Sequence, residues 1–208
     1  MSAQPQEPFQ LLAGHPALDF VNTLDNRYSE SPETRNQERL LTYDDLLRFL
    51  TESTLITENR ARKLRRLEAP ITERTQILHR SIALREAIAA IGYALIDRQQ
   101  VPSDALASLE TFLRQSTEHR RLAFSDGQLH WKWSSPGRNL ASPLWILAQS
   151  AADLLLSDRI SYLRDCASPT CRWLFLDTSK NHTRRWCDMK ICGNRMKARR
   201  YHTRQSEQ

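Results

Sequence analysis

The sequence predicts an α+β fold: a mainly helical N-terminal domain carrying a small β-hairpin, followed by a small C-terminal module made of a second β-hairpin and a basic helix. Three observations carry this reading. Apolar residues recur at helical spacing through most of the first 155 residues. The period switches to two around Asp126-Gly127. All four cysteines of the 208-residue chain fall between Cys166 and Cys192.

Residues 1–13 contain proline and glutamine and read as frayed, after which Gly14-His15-Pro16 turns into the apolar segment Ala17 to Leu24. Leu18, Phe20, Val21 and Leu24 suit a short helix. Asp19 and Asn22 are three apart and share a face, which fits a ligand contact or, equally, capping and turn roles. A polar stretch follows, and Thr42-x-x-Asp45 then reads as a capping box opening a helix with Leu46, Leu47 and Leu50 on its apolar stripe. Thr57 caps the next helix, to Leu67, whose basic residues beside Glu52, Glu58 and Glu68 form a solvated face. The longest periodic segment spans 72–97, from Ile77 through Ile96, and is the expected central helix. Arg85 and Glu86 lie among its apolar residues, so one must turn inward and find a partner. Asp19 is the candidate partner of Arg85, making Asp19, Asn22 and Arg85 the candidate small-ligand site.

Pro102 ends that region and Ser103 caps a helix bearing Leu106, Leu109, Phe112 and Leu113. Alternating runs at 122–124 and 129–133, joined through Asp126-Gly127, predict a hairpin with Trp131 and Trp133 on one face, packed on the core. Ser134 to Ser142, with Pro136 and Gly137, reads as a linker, and Ser142-Pro143 opens a helix that leads to the C-terminal module. The expected division is 1–140, a connecting helix at 141–158, and 159–208.

Within the module, Cys166-x4-Cys171 and Cys187-x4-Cys192 are two pairs of identical internal spacing, fifteen residues apart. Two such loops can turn four thiolates toward one tetrahedral Zn(II) ion, one per chain. Two disulfides, or a redox switch favoured by Arg172, Arg185 and Lys190, would use the same residues. Against disulfides, the N-terminus has neither the basic nor the apolar region of a secretory signal, so a soluble, cytoplasmic chain is expected. No apolar run reaches the length of a membrane span. Residues 173–177 read as a strand returning at 184–186, and Arg195 to His202 as a helix with Asn194 at its cap and Gly193 in the tight turn before it. That layout is treble-clef-like. His182 is a spare donor beside a completed set of four.

Charge is uneven. Residues 157–208 hold twelve Lys/Arg against five Asp/Glu, a net +7, and the remaining eighteen and nineteen leave −1 for residues 1–156. A polyanionic partner for the C-terminal end follows, with Arg184, Arg185, Arg195, Lys197, Arg199, Arg200 and Arg204 as candidate nucleic-acid contacts.

The tetrad Cys192-Gly193-Asn194-Arg195, with Arg185-Trp186-Cys187 before it and Lys197-Ala198-Arg199-Arg200-Tyr201 after it, resembles the CGNR zinc finger over roughly residues 160–204. Gly14 to Thr23 and Leu84-Arg85-Glu86-Ala87-Ile88 are similar to the ABATE domain that precedes this finger in bacterial proteins described as stress-induced transcription regulators. The resemblance implies a DNA-binding zinc end behind a domain that senses a small-molecule effector. Regulators of two-fold operators are often homodimers. The competing reading is an enzymatic or small-molecule-binding N-terminal domain around Asp19, Asn22 and Arg85, with a purely structural or protein-docking zinc module. Against catalysis, the chain has five glycines, no phosphate-binding glycine loop and no nucleophile-base pair.

Overall fold

Leu144, Leu147, Ala148 and Ala151 are fully buried along one helix, and the other long helices pack around it. The computed structural model describes residues 7–134 and 137–206, without the side chains of Arg200, His202, Arg204 and Ser206. In chain order its elements are α1 (Pro16–Val21), β1 (Leu24–Asp25), β2 (Gln37–Glu38), α2 (Tyr43–Glu52), α3 (Glu58–Arg65), α4 (Ile71–Ile96), α5 (Ser103–Thr117), β3 (Arg120–Ser125), β4 (Gln128–Trp133) and α6 (Ser142–Leu155). A 3-10 turn (Asp158–Tyr162), β5 (Leu163–Asp165), β6 (Leu174–Leu176), a π turn (Met189–Gly193) and α7 (Asn194–Ser206) complete the chain. The strands form three separate antiparallel pairs, β1 with β2, β3 with β4 and β5 with β6. The fold is therefore the α+β arrangement the sequence predicts, with about half the chain helical.

Local chemistry sets several boundaries. Thr42 and Asp45 form the capping box of α2, each side chain satisfying the other's backbone N–H. The β3–β4 turn has Asp126 and Gly127 both at positive φ, 54° and 77°, as a two-residue hairpin requires. Helix α5 starts at Ser103 with Pro102 in the cap position, and α6 starts at Ser142 with Ala141 there, so neither serine caps its helix. The Asn139 side chain accepts from Ala141 N instead.

The expected linker between 134 and 142 is tied down where it is described. Pro136 lies outside the described residues, but Leu140 is buried and its carbonyl accepts from the Tyr43 hydroxyl at 2.9 Å. Helix α6, expected to connect two units, packs against α1, α2, α4 and α5.

One apolar core runs from Phe9 into the cysteine-bearing end. Leu174, Phe175 and Leu176 of β6 are at most 1% exposed, and each such burial stabilises by about 1.5–3 kcal/mol. Strand β6 lies on α1 and β5 on α4. Gly92 in α4 lets the β5–β6 hairpin sit close, because a Cβ there would lie 2.7 Å from Leu174 Cδ1 of β6 and 3.9 Å from Leu163 Cδ2 of β5. Trp131, expected to pack on the core, is 58% exposed, and Trp133 is half-buried.

Candidate metal centre and basic helix

Strand β5 delivers Cys166 and β6 leads away from Cys171, so the first cysteine pair sits in the loop of this small hairpin. Cys166 N donates to Trp173 O at 2.8 Å and Cys171 N to Ser168 O at 3.0 Å, which closes that loop. The register is Leu163 with Leu176, Arg164 with Phe175 and Asp165 with Leu174. Residues 174–176 therefore pair with the segment before the first cysteine, not with 184–186. That segment is irregular, joined to the knuckle by Ala167 N donating to Arg185 O at 2.9 Å. Three-residue strands carry no periodicity that would choose between the two pairings.

The second cysteine pair is shaped by two aspartates that the spacing argument passed over. Asp177, fully buried, accepts from Ser179 N, the Ser179 hydroxyl and Arg184 N, and so folds the 177–184 loop. Asp188 accepts from Lys190 N and Ile191 N and caps the π turn that carries Cys192. The Asp-x-Ser at 177–179 is a turn signal legible in the sequence. The π turn runs directly into α7, so Asn194 continues a helix instead of capping a new one. The φ of Gly193 is not left-handed, and an added Cβ would meet only the Met189 thioether, an exposed flexible side chain that can move aside, so the tight turn does not demand glycine.

All four sulfurs are buried and lie within 4.8 Å of one another. Two of the separations are 3.8 Å, Cys171 to Cys187, and 3.6 Å, Cys187 to Cys192. A tetrahedron with Zn–S bonds of about 2.3 Å has edges of about 3.8 Å, whereas a disulfide would need about 2.05 Å. The cysteines are free thiols. Hydrogen bonds among the four thiols push Cys171 and Cys187 above the ordinary thiol range and hold Cys166 and Cys192 below it, so the bare cluster does not ionise fully. Four thiolates can share this space only around a cation. The donor set and its spacing fit one closed zinc site. His182 stays outside it, exposed, stacked on Tyr162 at 4.8 Å with Nδ1 2.9 Å from Asp177 O.

The basic candidates separate into two groups. Arg184 is used internally: Nε donates to Trp186 O, Nη2 to Leu12 O at 3.2 Å and to Cys187 O, and the guanidinium lies 4.3 Å from the Phe175 ring centre. Arg185, Arg195, Lys197 and Arg199 are exposed. The side chains of Arg200 and Arg204 lie outside the described residues. From Met189 to Ser206 the chain carries six Lys/Arg and no Asp/Glu. Helix α7 packs on the π turn from which it starts.

Of the residues predicted as a small-ligand site, Asp19 and Asn22 line one small cavity, whereas Arg85 is engaged elsewhere. Arg85, 1% exposed, makes two 2.7 Å bonds to the Glu38 carboxylate, one of 2.9 Å to Glu86 and one of 3.0 Å to the Thr23 hydroxyl. Its inward partner is thus Glu38, supplied by the short β1–β2 ribbon, and not Asp19. Burial works against the Arg85 charge, but the two glutamates hold its pKa above the ordinary value. Asn22 is committed to Leu174, donating to its carbonyl at 2.9 Å and accepting from its N–H at 3.0 Å. Asp19 accepts from Ala13 N at 2.9 Å, and burial raises its pKa to about 6. Asp19 and Asn22 line a cavity of ≈ 20 Å³ with Phe9, Arg39 and Trp173, room for about one water molecule.

Two family models match the chain. Residues 14–158 match ABATE, described as "Putative stress-induced transcription regulator", and residues 162–205 match the CGNR zinc finger. The chain belongs to the ABATE family and carries a CGNR zinc finger. In this ABATE chain, the zinc centre is the one the finger implies, one ion held among Cys166, Cys171, Cys187 and Cys192. No curated protein matches the sequence. Among the described residues, no helix is long and apolar enough to cross a membrane.

Proposed function

We propose that this protein is a cytoplasmic DNA-binding transcription regulator in which the ABATE segment receives a small-molecule or stress signal and the zinc finger engages DNA. The observation that carries the reading is α7: an exposed helix, free of acidic residues, launched from the metal centre by a capped turn. Its orientation is fixed at one end by Cys192, and a helix of this diameter fits the major groove of B-form DNA. Arg185, Arg195, Lys197, Arg199, Arg200 and Arg204 contact phosphates and guanine edges, while Arg184 serves as an internal brace.

Arg195 and Arg199 are four apart, as are Arg200 and Arg204, and such stacked cations weaken an isolated helix by a few tenths of a kcal/mol per pair. A phosphate backbone relieves that repulsion. The effector is proposed to act on the N-terminal domain away from the Asp19–Asn22 cavity, which is too small for one. No catalytic step belongs to this reading.

The test is fluorescence anisotropy of the zinc-loaded chain on duplex DNA across a salt series. Engaging six phosphates makes affinity fall by about a thousandfold or more between 50 and 200 mM salt. A flat response removes nucleic acid from the account, and tighter binding to an RNA competitor transfers it.

A further inference from the structure

The β3–β4 hairpin has one apolar face that nothing among the described residues covers. Directly opposed residues share a face, and the register sets Leu122 against Trp131 and Phe124 against Leu129. These four are 63%, 58%, 71% and 71% exposed. The reverse face sets Arg121 against Lys132 and Ala123 against His130. Each strand thus alternates apolar with polar, the pattern of a sheet with one face buried. Yet among the described residues β3 and β4 pair only with each other. The arm is anchored at its base, where Arg120 Nη1 donates to Gln149 Oε1 at 2.5 Å, Ser134 N donates to His119 O at 2.7 Å and His119 stacks on Trp145 at 3.7 Å.

We propose that the chain forms a two-fold homodimer in which the Leu122, Phe124, Leu129 and Trp131 face of one copy packs on the same face of a second. A lone two-stranded hairpin is marginal in water, so the arm gains from a cover. With aromatic side chains presenting 150–250 Å² each, the patch offers roughly 500 Å² per copy. Two copies then bury roughly 1,000 Å², the lower limit for a specific interface.

The charge layout selects a second copy over a foreign partner. A two-fold contact sets a patch against itself, which an uncharged centre permits and a charged one opposes. The charge on this face, Arg120, lies at the base with its guanidinium 4.4 Å from the Trp131 ring centre. Arg121 and Lys132 point the other way, so face-to-face sheets about 10 Å apart turn both sets of cations outward. A partner with an acidic rim would gain little from Arg120, which is already engaged by Gln149 and the Trp131 ring at the base. This inference is independent of the nucleic-acid reading.

Sedimentation equilibrium of the full zinc-loaded chain, from low to high micromolar concentration, tests it. The expected result is a reversible species of twice the chain mass. Phe124→Glu with Leu129→Glu raises the dissociation constant at least about thirtyfold, as expected for charge placed in an interface centre, with helical circular dichroism and zinc content unchanged. Arg121→Glu with Lys132→Glu, on the reverse face, leaves the dimer intact. Hydrogen exchange of residues 120–133 in the unaltered chain gives a readout free of any mutant defect: protection should rise with concentration. A chain monomeric throughout, a dimer indifferent to the glutamates, or a monomer that floats with phosphatidylcholine–phosphatidylglycerol vesicles through this face would each overturn the proposal.

Discussion

Asn22 holds Leu174 by both of its backbone hydrogen-bonding groups, across 152 positions of sequence. One side chain of the ABATE segment thereby acts as the missing strand neighbour for β6, and all of these atoms are buried. Asn22→Leu leaves a buried N–H and a buried C=O without partners, and each orphan costs about 1–3 kcal/mol. The expected loss is about 2–5 kcal/mol in urea denaturation of the zinc-loaded chain. Asn22→Asp restores only the acceptor and should recover part of the loss. A variant as stable as the parent would show that the two segments do not depend on this bond.

Gly92 makes the matching prediction from the other side of β6. Gly92→Ala would be favourable by helix propensity alone, by about 1 kcal/mol. The added Cβ would meet Leu174 Cδ1 at 2.7 Å, and Leu174 is fully enclosed, so the strand must shift. Overpacking of this kind costs about 1–3 kcal/mol. The net expectation is a lower melting temperature, and Gly92→Ala with Leu174→Ala together should lose less than the two effects added. A stabilised single variant would mean that β6 can slide off α4 at no cost.

The parts of this structure legible in the sequence are those with a local cause. Thr42 and Asp45 are three apart, Asp126-Gly127 is a turn in itself, and the cysteine spacing names its chemistry without a fold. Contacts made by short or irregular segments escaped. Glu38 reaches Arg85 from a strand of two residues, and nothing in the polar stretch before it marks that strand. The Ser, Pro and Gly of 134–142 read as a boundary because composition cannot report that Leu140 is buried or that its carbonyl meets Tyr43. Trp131 read as core because alternation reveals an apolar face without revealing what covers it.

Asp19 predicts a dependence on pH. Its carboxyl is lifted to about 6 by burial, above the ordinary 3.8, so the folded chain keeps a proton that the unfolded chain has already released. The stability contributed by this group is therefore complete below about pH 4 and is lost as pH rises through about 6. Asp19→Asn stays neutral throughout and keeps an oxygen to accept from Ala13 N. The variant should gain on the parent between about pH 4 and 6 and level off some 2–3 kcal/mol more stable, at about 1.4 kcal/mol per pH unit. Paired urea titrations at each pH measure this, since any zinc loss in acid is common to both chains and cancels in the difference. A difference independent of pH would assign Asp19 an ordinary carboxyl.

Removal of zinc should act unevenly along the chain. Between Leu163 and Cys192 the regular backbone pairing is one three-residue ladder, and the remaining loops are held by Asp177, Asp188 and the four sulfurs. Structural zinc contributes on the order of 10 kcal/mol to such small modules. Here β6 keeps some anchorage on α1, while the π turn and α7 have the metal as their main tether. Chelation, or Cys192→Ser, is expected to leave α1 to α6 protected from hydrogen exchange and to release residues 177–206 first, with β5 and β6 following more slowly. Helical circular dichroism then falls by about the share of α7, and under the proposed function DNA affinity falls with it. Equal protection of α7 with and without metal would mean that packing alone positions the helix, and the zinc would need another explanation.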